Sequence, residues 1–443
     1  MSDTAFIIAR PRFDIESGSA EFTYRLGDLS FTEALQFPGG FDRDAAQSPV
    51  FVHLLDLTAA VLGVSYYKLR APFEIDATAL SLAADDRSFL LDIYENGLGE
   101  FYARNDLKRF GKLNIAVSAT SVTVEKPDLA DRALVLIGGG KDSLVSVDLL
   151  ERAGIAMTLF AVNPKGPILS SAERAAHDMI GVRRVLDPEM IRLGKEPGFY
   201  NGHVPSTAIN SMIASLASLL FGYNRIVLSN ERSASEGNIE FDGREANHQH
   251  SKSLEFERHI QSLLYRVSGG AIEYFSLLRP YSEARIARLF ARGTRFDDVF
   301  SSCNRNFLQA GNSGPLWCGK CPKCLFVFLI FAPEMGIERL TKIFDTNVLD
   351  NPDNIAPYRE LVGIVGHKPW ECVGEILEAA ACLWKISDHP DWRNTAVVQA
   401  LRDDLIAFYS QAKLQTAYAD LFVDSDQHLI PAQIEKAVFP HAN

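Results

Sequence analysis

Apolar and polar residues alternate in two adjacent segments near the start of the chain. Apolar side chains occupy every second position in 22–26 and, with Glu33 as the one exception, again in 29–37. Gly27-Asp28 lies between the two runs. Two alternating runs joined by a short glycine-containing link predict a β-hairpin. The apolar run Val50–Leu62 that follows predicts a mostly buried helix. We therefore expect residues 1–128 to form an α+β domain.

From residue 129 to about 300, short apolar runs alternate with segments of helical periodicity. The runs predict five strands, at Leu134–Ile137, Thr158–Val162, Arg184–Leu186, Arg225–Ser229 and Ile272–Leu277. Helical spacing is evident in Pro205–Phe221 and Glu283–Ala291. Strands and helices in alternation predict an α/β fold with a parallel, doubly wound sheet, in which ligands bind at the carboxyl ends of the strands. This domain is expected to span 129–332.

The remaining segment favours helices alone. Helical patterns occupy Pro333–Phe344, Pro369–Trp384 and Val397–Phe408, and Pro390-Asp391-Trp392 separates the last two. We predict a helical C-terminal region over 333–443.

Composition narrows the class of protein. A chain of 443 residues with 47% hydrophobic and 23% charged residues is typical of a globular protein with more than one domain. The net charge of −12 argues against general nucleic-acid binding, although a local basic face remains possible. No secretion signal is recognisable at the start, and the apolar stretches around Ser211–Tyr223 and Cys324–Pro333 are too short to span a bilayer. We expect a cytoplasmic protein with no membrane or nucleic-acid partner.

The candidate chemistry begins where the strand 134–137 ends, at the sequence GGGKDS, residues 138–143. Three glycines let a ligand approach the backbone N–H groups, and the helix that follows presents its positive end to an anion. The loop is not a Walker loop, because Val135 and Asp142 occupy two of the required positions. It is not a dinucleotide fingerprint either, because Ser143 replaces the last glycine.

Gly139, Gly140, Asp142 and Ser143 match the S-G-G-x-D-S loop, so the chain resembles the PP-loop ATP pyrophosphatase superfamily. Gly138 departs from that pattern, and one hydroxyl donor is lost. The resemblance implies that the loop N–H groups and the Ser143 hydroxyl hold the pyrophosphate of ATP, that Lys141 adds positive charge there, and that the Asp142 carboxylate holds Mg²⁺. It also implies an adenosine site at the end of the second strand. The predicted nucleotide-binding residues are Gly138, Gly139, Gly140, Lys141, Asp142, Ser143, Val162 and Asn163.

Four of the six cysteines lie close together in the sequence, at Cys303, Cys318, Cys321 and Cys324. Two C-x2-C pairs of this kind bring thiolates to one point and suit tetrahedral Zn²⁺ with a structural role. An iron–sulfur cluster and plain buried thiols are the alternatives. The arrangement resembles the zinc site of 7-cyano-7-deazaguanine synthases, which are also PP-loop proteins.

The segment 230–257 is rich in polar side chains, which is unusual for a connection inside a compact α/β domain. Acid–base work, phosphate contact and a solvated insertion all fit this composition. His248 and His250 stand two residues apart, so they share a face of a strand but not of a helix, and a metal pair is a further possibility. His203, just before a predicted helix, either faces the site or caps the helix.

Arginines recur at helical spacing at Arg285, Arg288, Arg292 and Arg295. Such a stripe is either a solvated helix face or a patch for an anionic substrate, such as a nucleotide diphosphate, peptide carboxylates or an RNA backbone.

Five motifs together resemble one family, the ATP-dependent UDP-N-acetylmuramoyl-L-alanyl-L-glutamate epimerases of the MurL type. They are GGGKDS, NERSASEGN at 230–238, NHQHSKSLEFE at 247–257, the cysteine cluster, and KPWECVGE at 368–375. The resemblance implies an isomerase that converts the terminal L-Glu of UDP-MurNAc-L-Ala-L-Glu to D-Glu in peptidoglycan biosynthesis. It implies an acyl-adenylate intermediate, release of AMP and pyrophosphate, and action after a ligase that adds L-Glu. The expected catalytic residues are Asp142, Glu231, Arg232, His248 and Lys252.

Two other functions stay open from the sequence. One is an adenylating PP-loop enzyme that modifies tRNA or a deazapurine, similar to the 7-cyano-7-deazaguanine synthases. The other is a nucleotide-binding regulatory protein whose loop has degenerated, as the glycine at position 138 permits.

Overall fold

We describe the protein from a computed structural model, covering residues 5–120, 124–307, 314–366, 371 and 373–439. Its strands are β1 (Phe6–Ile8), β2 (Arg12–Asp14), β3 (Ser19–Leu26), β4 (Leu29–Gln36), β5 (Glu74–Ala77), β6 (Asn114–Val117), β7 (Ala130–Leu136), β8 (Met157–Val162), β9 (Met179–Val185), β10 (Tyr223–Leu228), β11 (Ile239–Phe241), β12 (Arg244–Ala246) and β13 (Glu273–Ser276). Its helices are α1 (Pro49–Leu62), α2 (Val64–Tyr67), α3 (Asp86–Glu95), α4 (Gly99–Arg104), α5 (Lys141–Arg152), α6 (Pro167–Ala175), α7 (Pro188–Leu193), α8 (Ser206–Phe221), α9 (Leu254–Val267), α10 (Glu283–Ala291), α11 (Pro322–Phe331), α12 (Ile337–Phe344), α13 (Ile355–Leu361), α14 (Ile376–Ile386), α15 (Ala396–Tyr409), α16 (Gln411–Asp420) and α17 (Ala432–Val438).

Most strands belong to one large sheet, in the order β13-β10-β7-β8-β9-β4-β3-β1-β5-β6, with β2 beside β3. From β13 to β9 every pair is parallel. Along this part the chain winds outward from β7 in both directions, so the winding reverses between β7 and β10. The predicted α/β architecture with a parallel, doubly wound sheet is confirmed. Ligands of such sheets bind beyond the carboxyl ends of the strands at this reversal.

The strand predicted at Arg184–Leu186 is longer and begins earlier than the sequence pattern indicates. It starts at Met179, because Met179 to Val182 pair in parallel with Leu159 to Val162 of β8.

The N-terminal strands continue the same sheet. The hairpin predicted at 22–37 is formed by β3 and β4, and Gly27 has the positive φ of +66° that its two-residue turn needs. β4 then pairs antiparallel with β9, with Ala34 opposite Val185. One apolar core contains Phe22 of the hairpin together with Phe160 of β8. Residues on the two sides of the boundary predicted at 128 therefore share a sheet and a core, and the boundaries themselves stay predictions.

The helix predicted at 50–62 is α1, whose start is capped by Ser48, which accepts a hydrogen bond from the Phe51 N–H at 3.2 Å. Gly63 has helical backbone angles, so α1 and α2 make one apolar stretch, Pro49–Tyr67. The expectation that the apolar stretches are too short to span a bilayer is wrong for Pro49–Tyr67, which is long enough and apolar enough to do so. Its most apolar window is 94% buried inside the protein, which is typical of a core helix.

Beyond residue 333, the described residues form helices α12 to α17 around a second apolar core. Trp392 lies at the centre of this core, fully buried, and its indole N–H donates to the Ala332 carbonyl at 2.9 Å. The helix predicted at 369–384 is observed as Ile376–Ile386. Of the KPWECVGE motif, positions 368–370 and 372 lie outside the described residues.

Candidate active site

A cleft of about 320 Å³ opens at the carboxyl ends of β7 and β10, where the winding of the sheet reverses. Its walls come from the glycine loop, from the start of the polar segment and from residues 301–304. The lining residues are Leu136, Ile137, Gly138, Gly140, Asp142, Ser143, Thr207, Asn210, Leu228, Ser229, Asn230, Lys252, Ser301, Ser302, Asn304 and Lys323. Gly138, Gly140, Asp142, Ser143 and Lys252 of this set were expected at the site from the sequence.

The three glycines of the loop meet different steric demands. Gly139 has a φ of +74°, and a Cβ on it would lie 2.8 Å from the backbone carbon of Pro167. A Cβ on Gly140 would lie 2.6 Å from the Ser302 hydroxyl oxygen, whereas one on Gly138 would meet nothing within 4 Å. The replacement of the usual serine by Gly138 thus leaves open space, whereas Gly139 is required by its positive φ and by the neighbouring backbone.

Lys141 opens helix α5, but its side chain turns into the protein and is fully buried. Its ammonium group contacts the carboxylates of Asp142 and Glu283. Burial alone would lower the pKa of Lys141, but these two carboxylates raise it above its usual value, so the amine stays charged. In this conformation the charge of Lys141 compensates Glu283 inside the core.

Two other lysines line the cleft. Lys252, from the polar segment, donates a hydrogen bond to the side-chain oxygen of Gln249 at 3.2 Å. Lys323, at the start of α11, is buried, and its Nζ lies 3.7 Å from Glu283 Oε1. They place two cations beside the N-terminus of α5, which suits a polyphosphate. Lys323 was not predicted from the sequence, although it lies between Cys321 and Cys324 of the predicted metal cluster.

Glu231 follows β10 directly and is buried. Burial raises the pKa of its carboxyl group, and the negative charges of Glu283 and Asp142 raise it further. Lys252 and Lys323 act in the opposite direction. A carboxylate whose pKa is raised is a stronger base than an ordinary carboxylate, which suits a role in proton transfer.

Seven of the predicted nucleotide-binding and catalytic residues are not among the described residues that line the cleft, namely Gly139, Lys141, Val162, Asn163, Glu231, Arg232 and His248. The Arg232 guanidinium donates to the Val423 carbonyl in the C-terminal region, at 3.2 Å. The Asn163 side chain exchanges two hydrogen bonds with the Arg184 backbone, at 2.8 and 2.9 Å. Val162 precedes Asn163 at the end of β8. The predicted roles of Arg232, Asn163 and Val162 in anion and adenosine binding stay predictions.

His248 and His250 point to two separate carboxylates, so they do not converge on one site. His248 Nδ1 hydrogen-bonds to Glu100 Oε2, and His203 Nδ1 lies 3.7 Å from the same oxygen. His250 Nε2 hydrogen-bonds to Asp92 Oδ1 at 2.7 Å. The possibility of a metal pair made of His248 and His250 is not supported, because a 3₁₀ turn begins at His250 and the two side chains bind different carboxylates.

The four clustered cysteines converge as predicted. Their Sγ atoms all lie within 4.8 Å of one another, and all four are free thiols. Cys318 Sγ and Cys324 Sγ are 3.6 Å apart. Tetrahedral zinc with Zn–S bonds of about 2.3 Å places its sulfurs about 3.8 Å apart, so the donor set fits this ion.

The cysteine cluster is continuous with the cleft wall. The Ser301 N–H donates to the Gly139 carbonyl at 2.9 Å, and the Asn304 amide donates to the Glu371 carboxylate at 2.9 Å. Both residues flank Cys303 and line the cleft. Whatever fixes the four sulfurs also fixes this wall against the glycine loop.

The arginine stripe is largely neutralised inside the protein. Arg288 forms two hydrogen bonds to Glu334, at 2.9 and 3.0 Å, and Arg295 binds Glu151 at 2.8 Å. Arg285 lies 3.6 Å from Asp424. These pairs remove most of the charge that would attract an anionic polymer.

Family models match most of the chain. The MurL N-terminal domain matches residues 1–277 and the MurL C-terminal domain matches residues 299–416. Curated relatives named UDP-N-acetyl-alpha-D-muramoyl-L-alanyl-L-glutamate epimerase include the protein of Micromonospora sp., 39% identical over 98% of this chain and 97% of the relative. That of Xanthomonas oryzae pv. oryzae is 38% identical over the same shares, and that of Salinispora tropica is 40% identical over 90% of this chain and 88% of its own length.

Proposed function

Because this chain belongs to the MurL family of epimerases, we propose that it inverts the terminal glutamate of UDP-MurNAc-L-Ala-L-Glu with the help of ATP. In this proposal ATP converts the glutamate α-carboxylate to an acyl-adenylate and releases pyrophosphate. Deprotonation and reprotonation at Cα invert the centre, and hydrolysis then yields AMP and the D-Glu product.

The need for ATP follows from the acidity of the α-proton. Removing a proton beside an ionised carboxylate places a second negative charge next to the first. Formation of the acyl-adenylate removes the first charge and makes the carbonyl a better acceptor of the electron pair. A positioned base then takes the proton, and return of a proton to the opposite face gives the other configuration.

The observation that carries the ATP part of the proposal is the set of groups around the glycine loop. Backbone N–H groups at the start of α5, the Ser143 hydroxyl, Lys252 and Lys323 face one cleft at the reversal of the sheet. These groups favour the binding of an anion with several negative charges, and Glu231, a candidate for proton transfer, follows β10 nearby.

His248 and Glu231 are the proposed proton-transfer residues. Glu231 is buried next to the cleft lysines, and its raised pKa suits a base or acid. His248 belongs to a histidine pair whose other member, His203, lies near the cleft residue Lys252. Lys252 is the proposed contact to the substrate carboxylates.

Two metal ions are part of the proposal. Asp142 would hold Mg²⁺ together with phosphate oxygens, and Mg²⁺ neutralises charge on the phosphates. Cys303, Cys318, Cys321 and Cys324 would hold a structural Zn²⁺.

The substrate implies a place in a reaction sequence. A ligase that joins L-Glu to UDP-MurNAc-L-Ala has to act first, and an enzyme that uses the D-Glu product follows. The nucleotide-linked substrate agrees with the predicted cytoplasmic location.

The proposal is tested by incubating the protein with ATP, Mg²⁺ and UDP-MurNAc-L-Ala-L-Glu and analysing both nucleotide products and glutamate chirality. AMP, pyrophosphate and D-Glu are expected. ADP with orthophosphate would contradict cleavage between the α and β phosphates, and AMP without D-Glu would contradict the epimerisation.

A further inference from the structure

Two histidines share one buried carboxylate beside the cleft. Glu100 Oε2 accepts a hydrogen bond from His248 Nδ1 and lies 3.7 Å from His203 Nδ1. The two imidazole rings stand with their centroids 4.4 Å apart. Glu100 Oε1 contacts Arg104 Nε at 2.6 Å. Glu100 and Arg104 belong to α4, His203 precedes α8, and His248 belongs to the polar segment.

The charges around this cluster determine its proton content. Burial would raise the pKa of Glu100, but the hydrogen bond and charge of His248, with His203 and Arg104, hold it below its usual value. Burial lowers the pKa of His203 to about 4, with His248, Lys252 and Lys68 adding to the effect and Glu100 opposing it.

At neutral pH, Glu100 is therefore ionised and His203 is neutral. The carboxyl group of Glu371 also interacts electrostatically with His248. Glu100 thus faces two imidazole rings, of which that of His203 is neutral.

A second cluster of the same composition serves as an internal comparison. Asp92 Oδ1 binds His250 Nε2 and Asp92 Oδ2 binds His259 Nδ1, both at 2.7 Å. Asp92 lies in α3, the helix preceding α4. No residue of either cluster is among the described residues that line the cleft. His203 of the Glu100 cluster, however, interacts electrostatically with the cleft residue Lys252.

We propose that Glu100 and His203 are positioning residues for proton transfer at the glutamate α-carbon and that they act through His248. This inference rests on the proposed function, in which His248 takes the α-proton. The Cα–H bond breaks, the proton moves to His248 Nε2, and the electron pair enters the activated carboxyl group. A proton from Glu231, the other proposed proton-transfer residue, or from solvent forms the new Cα–H bond on the opposite face, and His248 releases its proton to solvent.

Glu100 has two effects on this step. Its hydrogen bond to Nδ1 leaves Nε2 as the basic nitrogen and fixes the plane of the ring. Its negative charge stabilises the imidazolium that forms. His203 contributes a neutral ring that packs beside His248, so no second positive charge opposes protonation. The N-terminal part of the chain therefore supplies residues to the reaction.

The test compares Glu100→Gln with the matched variant Asp92→Asn in the full-length protein. Each removes the charge of a carboxylate that holds two histidines. Three quantities are measured: pyrophosphate release from ATP with UDP-MurNAc-L-Ala-L-Glu, deuterium uptake at the glutamate α-carbon in D₂O as a function of pH, and melting temperature.

For Glu100→Gln we expect pyrophosphate release within about twofold of the wild type and α-deuterium uptake at least about tenfold slower. The acid limb of the uptake rate should move to lower pH, because the protonated imidazole loses its counter-charge. Glu100→Asp should restore part of the rate. Asp92→Asn should lower the melting temperature and reduce pyrophosphate release and deuterium uptake together.

Wild-type uptake and pH profile in Glu100→Gln would overturn the inference, as would identical behaviour of the two variants. If Glu100→Gln does not fold, His203→Asn has the same expected result and the same contradicting one. A divalent metal bound by the wild type and lost from His203→Asn would also overturn it, since the cluster would then be a metal site. Absence of pyrophosphate release or α-deuterium uptake in the wild type would instead contradict the proposed function.

Discussion

Lys141, the first residue of the helix that follows the glycine loop, forms a buried ion pair with Glu283, 142 residues further along the chain. Both side chains are 1% exposed. The pair joins α5 to α10 beneath the cleft, and Lys323 lies close to the same carboxylate. The lysine of the loop motif is thus part of the support of the cleft.

Removing one partner of this pair should strongly destabilise the protein. Glu283→Gln leaves the Lys141 ammonium with only the Asp142 carboxylate as counter-charge, and breaking a buried pair typically costs about 3–5 kcal/mol. Thermal or urea unfolding measures the change. Glu189→Gln is the control, because it breaks the exposed pair with Arg192 at 2.7 Å and should leave stability nearly unchanged. Equal effects of the two substitutions would contradict the buried-support role.

The loop glycines should tolerate substitution unequally. Gly139→Ala requires a positive φ that costs an L-residue about 1–2 kcal/mol, and its Cβ would also press on the Pro167 backbone at 2.8 Å. Gly138→Ala meets open space. We expect pyrophosphate release to fall sharply in Gly139→Ala and to stay close to the wild-type rate in Gly138→Ala. A severe loss in Gly138→Ala alone would show that the described loop conformation is not the active one.

The alternation of strands and helices and the convergence of the cysteines follow from local sequence patterns, because strand period, glycine punctuation and C-x2-C spacing are short-range signals. The start of β9 was misplaced because Gly181 and the charged pair Arg183-Arg184 break up its apolar run, and pairing with β8 sets its extent. Pairing of β4 with β9 depends on contacts about 150 residues apart, which periodicity does not encode.

The candidate site was likewise only partly predictable from local sequence patterns. Spacing identified the anion loop and the polar segment, but it does not reveal which way a side chain turns. Lys141 faces the core, and Arg232 faces the C-terminal region. Glu100 meets His248 across 148 residues, and nothing in the local sequence of α4 marks that carboxylate as part of the site.

The cysteine cluster should bind about one metal ion per chain, and zinc fits its donor set. Cys321→Ser should reduce both metal content and melting temperature. Cys382→Ala is the matched control, because Cys382 is a buried thiol in α14 outside the cluster. It should keep the metal. Iron in the purified protein would favour a cluster of the iron–sulfur type, and absence of metal would contradict the metal site.

Glu378 should make stability depend on pH. Burial and, to a smaller extent, the charge of Glu283 raise its pKa to about 8, and the hydrogen bond from the Ala284 N–H opposes this shift. Because the folded pKa lies above the unfolded value, the folded state holds the extra proton. The contribution of the Glu378 carboxyl group to the free energy of unfolding is complete at pH values below its pKa in the unfolded chain. This contribution is lost as the pH rises towards 8. Relative to the wild type, Glu378→Gln should therefore be more stable at pH 8 than at pH 5. A stability difference that is the same at both pH values would contradict the buried neutral carboxyl.

The central claim is that an activated glutamate is deprotonated at Cα by residues of the polar segment. The most direct measurement is the deuterium content of that carbon after turnover in D₂O with ATP, Mg²⁺ and UDP-MurNAc-L-Ala-L-Glu. The D-Glu product should carry deuterium at Cα. His248→Ala and Glu231→Gln each remove one candidate base. The variant that lacks the true base should incorporate deuterium about 10²–10⁴-fold more slowly while pyrophosphate release continues. D-Glu that forms without α-deuterium would contradict the deprotonation mechanism, and normal incorporation in both variants would contradict the assignment of the base.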